Sequence, residues 1–85
     1  MPEISRFLGI VIYMYYREHA PPHFHARYGE YRISVEIGSG IVDGRFPPRA
    51  LRHVQEWLAS RRGELFADWA RARAREPLRE IAPLE

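Results

Sequence analysis

The stretch HFHARYGEYRISVEI, His23 to Ile37, decides how the chain folds. Apolar and polar residues alternate on either side of Gly29-Glu30. Glycine in the first of two turn positions suits a type II′ turn, whose twist matches that of paired strands. Folding the stretch there sets Tyr28 opposite Tyr31, Ala26 opposite Ile33 and Phe24 opposite Val35 on one face. The other face takes Arg27 opposite Arg32, His25 opposite Ser34 and His23 opposite Glu36. Side chains along a strand point alternately to its two faces, so a slip of one residue would push the histidines into the core. The pattern predicts a β-hairpin whose two histidines and two arginines share the side turned away from the apolar layer.

Toward the N-terminus, Ile4 to Leu8 reads as a short strand, and Gly9 separates it from Ile10–Tyr16, IVIYMYY. That run is β-branched and aromatic on both faces, which predicts an interior strand covered on both sides. Pro21 and Pro22 cannot donate ladder hydrogen bonds and end the pairing. Beyond the hairpin, Gly38-Ser39-Gly40 is a turn, Ile41-Val42 a short strand and Asp43-Gly44 a second turn. Pro47-Pro48 suits a helix start. From there Leu51, Val54, Leu58, Leu65 and Trp69 recur at helical spacing, with Trp57 and Phe66 widening the stripe. Arg61-Arg62-Gly63 interrupts it and predicts a kink or a pair of helices, since a glycine inside a helix costs about 1 kcal/mol relative to alanine. Pro77 stops the helix, and the tail EPLREIAPLE is extended, with Leu78, Ile81 and Leu84 to anchor it on its own sheet or on a second molecule.

Strand-forming residues fill the first half and helix-forming residues the second, which gives an α+β fold rather than alternating βαβ units. The expectation is a small antiparallel sheet of three to five strands, followed by a C-terminal helix or helix pair packed on one face. One domain spans residues 1–85, mainly β over 1–46, helical over 47–75 and extended over 76–85.

The composition narrows the function. With 46% hydrophobic and 13% aromatic residues the chain can build a compact core and is too apolar for disorder. It has no cysteine, which removes disulfides, cysteine-zinc sites and thiol nucleophiles. No apolar run approaches the roughly 20 residues of a membrane span, and the first residues lack the layout of a secretory signal. A soluble cytoplasmic protein without membrane contact is the expectation. The net charge of +2, with acidic and basic groups interspersed, hints at an anionic partner. There is no phosphate-cradling glycine loop, dinucleotide fingerprint or GxSxG elbow.

Three of the four histidines, His19, His23 and His25, fall within seven residues. Such spacing can place imidazoles around a divalent transition metal, with His53, Glu18 or Glu36 as a fourth ligand. The same face can serve RNA chemistry. One of His23 and His25 takes a 2′-hydroxyl proton, the other protonates the leaving oxygen, and Arg27 and Arg32 steady the charged phosphorane. Ser34, Tyr13 and Tyr15 can orient the substrate, and tyrosines beside arginines can stack on unpaired bases. Against both stands the plain alternative that the histidines shape a turn, the arginines are solvated, Glu36 pairs with His23 and the tyrosines pack, leaving a non-catalytic interaction module that requires no cofactor. Self-association through the open sheet or the tail is a further expectation for so small a domain.

The chain resembles a family of small prokaryotic proteins known as a domain of unknown function, number four-one-six-zero. The resemblance rests on Met1-Pro2 and the short strand after it, on IVIYMYYREHAPPHFHARYGEY, on ISVEIGSGIVDGRFPPRALRHVQEW, and on the helix carrying Leu65 and Trp69, so that it covers residues 1–73. HAPPHFHARYGE, with His19, Pro21, Pro22, His23 and His25, is its most specific segment. The family has no settled activity. Its members are often encoded beside a second small protein, in pairs proposed as toxin–antitoxin modules. The resemblance thus implies a companion small protein and a toxin-like role with RNA as the natural target.

Overall fold

The computed structural model describes residues 2–85; the Met1 of the resemblance lies outside them. Five strands, β1 (Glu3–Phe7), β2 (Ile10–Tyr13), β3 (His23–Tyr28), β4 (Tyr31–Glu36) and β5 (Val42–Arg45), form one antiparallel sheet in the order β1-β2-β3-β4-β5. A single helix, α1 (Pro48–Arg73), follows and packs on one face. This is the expected α+β architecture.

The hairpin register matches the expected pairing at all six positions, from His23 opposite Glu36 to Tyr28 opposite Tyr31. Gly29 alone of the two turn residues takes a positive φ, 58°, the distribution of a II′ turn. Phe24, Ala26, Ile33 and Val35 are buried against Val54, Trp57, Leu58 and Leu65 of α1. Tyr28 and Tyr31, at the hairpin tip, stay substantially exposed, with Tyr28 against Phe46. β2 is shorter than the apolar run that encodes it, ending at Tyr13, and all four of its residues are buried.

Two expectations fail for identifiable reasons. Asp43-Gly44 is not a turn but the middle of β5, paired with Ser34 and Ile33. Gly44 is needed there because its φ is 109° and a Cβ would lie 2.6 Å from the Arg32 carbonyl oxygen. The second failure is the break at Arg61-Arg62-Gly63. The helix runs without interruption for 26 residues. Gly63 is exposed, with nothing near its would-be Cβ, so the glycine weakens the helix without opening it. The flanking arginines hold this turn: Arg61 pairs with Glu64, and the Arg62 Nε donates to the Ile37 carbonyl at 2.8 Å.

The helix ends in a Schellman arrangement. Arg75 takes a φ of 60°, the Glu76 N–H donates to the Arg71 carbonyl and the Arg75 N–H to that of Ala72. Pro77 then turns the chain back over its own fold. The Ile81 N–H donates to the Ile4 carbonyl on β1, and the buried Trp57 Nε1–H donates to the Ala82 carbonyl at 2.8 Å. The wholly buried Asp68, which helical periodicity did not single out, accepts from the Arg79 N–H at 2.9 Å and from Arg71 at 2.7 Å. Of the three expected anchors Ile81 is buried, while Leu78 and Leu84 are partly buried against the core.

Gly63→Ala should raise the stability by about 0.5–1 kcal/mol, seen as a higher midpoint with unchanged slope in urea unfolding. A lower midpoint would mean that the helix breaks at this residue.

Candidate functional site

The pleat that buries Phe24 and Ala26 turns His25 and Arg27 to the side of the sheet that α1 does not cover, while His23, at the start of β3, lies against Trp69 of α1. Two rows of side chains cross that side. One runs Tyr13, His25, Ser34, Asp43, and the next runs Val11, Arg27, Arg32, Arg45. Neighbouring members of a row lie about one strand spacing apart, near 5 Å.

The first row ends in an aromatic stack. The Tyr13 and His25 rings lie parallel within 14° at 5.3 Å, and Tyr15 meets both edge-on at 5.5 and 5.0 Å. Tyr13 is therefore only 3% exposed and offers no free face to a base, whereas Tyr15 is 38% exposed. Burial, with Tyr15 adding to it, raises the Tyr13 phenol above its ordinary 10.0; Arg32 and Arg27 on the same face oppose the shift.

The loop from Met14 to Pro22 brings in the residue that completes the histidine pair. Arg17 takes the left-handed conformation, φ 61°, which non-glycine residues avoid, and Glu18 follows it. The Ala20–Pro21 peptide bond is cis. The Glu18 carboxylate reaches both rings: Oε1 lies 2.6 Å from His25 Nε2 and Oε2 lies 3.2 Å from His23 Nε2. His23 Nδ1 donates to the Pro21 carbonyl at 2.8 Å. His23 also packs on Trp69 of the helix, ring to ring at 5.2 Å, and stands edge-on to His25 at the same distance.

The three side chains are 17–24% exposed, half-buried but within reach of solvent. Their ligand atoms all lie within 4.8 Å of one another. His19, expected beside His23 and His25, is exposed and outside this group, and Glu18 stands where it was expected. Of the other two residues considered as a fourth ligand, Glu36 accepts from Ser39 Oγ, and His53 lies near the start of α1, beside Leu8 and Tyr28. The two imidazoles do not flank an open gap as a general acid and base would. Both direct Nε2 at one carboxylate.

In the second row, Arg27 faces Arg32, and Arg32 faces Arg45. None of the three forms an ion pair among the described residues. Arg6, at the far end beyond Val11, is neutralised by Glu3 through contacts of 2.7 and 3.0 Å, which hold the Glu3 carboxyl below its ordinary value. Arg45 escaped the sequence reading because Asp43-Gly44 looked like a turn; as a strand, the same residues place it on this face. Glu18 escaped as a principal member because a loop path, not a periodicity, delivers it.

Among the described residues no helix is long and apolar enough to cross a membrane. A family model described as a domain of unknown function (DUF4160) matches residues 9–70, which include both rows and the loop between them. No curated protein and no solved structure matches the chain.

A neutral phenol that ionises later in the folded chain than in the unfolded one makes a contribution that is whole below the unfolded pKa, about 10. It drains away as pH rises toward the folded value. Absorbance titration at alkaline pH should show one tyrosine ionising late, and stability should fall from about pH 10 upward. Tyr13→Phe should abolish the late step and flatten that fall; a late step that survives the substitution would place the perturbed phenol elsewhere.

Proposed function

The chain belongs to the DUF4160 family, whose description names no activity, and we propose that it binds RNA through phosphate contacts on the uncovered face of its sheet. The observation that carries this reading is the row Arg27–Arg32–Arg45. Like charges directly opposite one another destabilise a sheet. Here three guanidinium groups sit side by side with no carboxylate in ion-pair range among the described residues. A polyanion laid across the row relieves that repulsion and releases its counterions. Arginine also presents its donors in a fork that matches phosphate oxygens.

Around the row the fittings suit a single strand better than a duplex. Tyr15 offers an exposed ring edge-on to His25, and base stacking on such rings tolerates any sequence. Along β3, His25 stands two residues from Arg27, about 7 Å. A backbone held by the arginines thus passes close to the Glu18–His23–His25 group. In a toxin–antitoxin pair this is the face that a companion protein would have to cover to silence the chain.

Fluorescence anisotropy with a labelled single-stranded RNA, measured over a salt series, tests the reading. Each phosphate contact contributes about 0.7 to the slope of log affinity against log salt. Replacing Arg27, Arg32 and Arg45 together by glutamine should reduce that slope by about 2 and weaken binding at least tenfold in low salt. An unchanged slope, or no binding by the unaltered chain, would reject it.

A further inference from the structure

We infer that Glu18, His23 and His25 hold a divalent transition-metal ion, zinc being one that two imidazoles and one carboxylate suit. The inference stands on the loop and strand geometry and does not require RNA binding.

His23 Nδ1 lies 2.8 Å from the Pro21 carbonyl oxygen, which can only accept, so Nδ1 carries hydrogen. In the neutral ring Nε2 then presents a lone pair, and it faces Glu18 Oε2 at 3.2 Å. An ionised carboxylate is also only an acceptor. Two acceptors turned toward each other call for a positive centre between them. The other oxygen of the same carboxylate faces His25 Nε2 at 2.6 Å. Protons alone can bridge both gaps only with an added proton held in a half-buried place, on a ring packed against Trp69 and 5.2 Å from the other ring, or on the carboxyl itself. One metal ion meets all three groups at once and leaves both rings neutral.

The surroundings have the features that metal-bound histidines need. A ligating imidazole normally gives its other N–H to a carbonyl or carboxylate, which fixes its tautomer, and the Pro21 carbonyl takes that role for His23. Trp69 packs against His23 and Tyr13 lies flat on His25, so both rings are held in orientation before any ion arrives. The strained backbone at Arg17 aims Glu18 at the gap between them.

The distances also fit. Nitrogen and oxygen ligands sit about 2.0–2.2 Å from zinc, so neighbouring tetrahedral ligands lie about 3.3–3.5 Å apart. The His23–Glu18 separation of 3.2 Å is already close to that. The His25–Glu18 contact of 2.6 Å must open by somewhat under an ångström, which a glutamate on a loop achieves by side-chain rotation. Three protein ligands leave a tetrahedral ion one position for water or another exchangeable ligand, the arrangement of catalytic rather than structural zinc.

The test is calorimetric titration of the tag-free, chelator-treated full chain with Zn²⁺, with circular dichroism to confirm the fold of each variant. One ion should bind per chain. His23→Ala and His25→Ala should each weaken binding about a hundredfold or more, and Glu18→Gln, which keeps size and loop position, at least tenfold. His19→Ala should leave affinity unchanged, because that imidazole lies outside the group. Cobalt(II) in place of zinc should give visible absorption bands that Glu18→Gln alters, a readout that survives even if a histidine variant unfolds. Absence of saturable binding, insensitivity to Glu18→Gln, or loss on His19→Ala equal to that of the others would overturn the inference and leave an adventitious ion only.

Discussion

Phe24 opposite Val35 and Ala26 opposite Ile33 are four side chains with almost no accessible surface, and they fix which side of the central hairpin meets the helix. Burying a phenylalanine or valine fully contributes about 1.5–3 kcal/mol. A one-residue slip would forfeit that burial and turn His25 and Arg27 inward, adding the larger penalty of an unpaired guanidinium away from water. Both terms act in the same direction, so the register is held from two sides. Everything proposed for the uncovered face depends on it, because the arginine row exists only if Arg27, Arg32 and Arg45 fall on one side of three neighbouring strands.

The opposite face shows how a chain of 85 residues closes its core. One sheet and one helix leave the β1 side of the layer open, and the tail covers it. Its attachment is polar as well as apolar. Trp57 and Asp68 are buried on α1; Trp57 donates a hydrogen bond to the backbone of the returning tail and Asp68 accepts one from it, in addition to its contact with Arg71. Removing the tail would therefore leave an indole N–H and a carboxylate short of partners inside the fold, a greater loss than the exposure of Ile81 alone. The tail belongs to the core in energetic terms, although it contains no regular element.

How much of this could be seen in the residues follows from what each feature depends on. The hairpin was legible to the residue because alternation and a glycine-led turn are local and agree with each other. Helix position was legible from the spacing of Val54, Leu58, Leu65 and Trp69. Gly63 misled because sequence alone does not say which way a residue faces, and a glycine on the solvent side is tolerated. Asp43-Gly44 misled for the reverse reason: a pair typical of turns sits in a strand where the Arg32 carbonyl approaches too closely for a side chain. For the site, the strand histidines were legible, and Glu18 only as one of three candidates for a further ligand. Glu18 reaches them through a left-handed residue and two prolines, a path that no periodicity encodes.

The two halves of the uncovered face complement each other chemically. In the proposed reading a row of fixed positive charge aligns a polyanion, and a carboxylate–imidazole group at its edge offers ligands to an ion. Both follow from the single claim that β3 presents His25 and Arg27 away from α1. Nuclear Overhauser contacts of the His25 ring protons measure this most directly. Strong contacts to the rings of Tyr13 and Tyr15 are expected, and none to the methyl groups of Val54 or Leu58. Contacts from His25 to those helix methyls, with Phe24 in their place beside Tyr13, would contradict it.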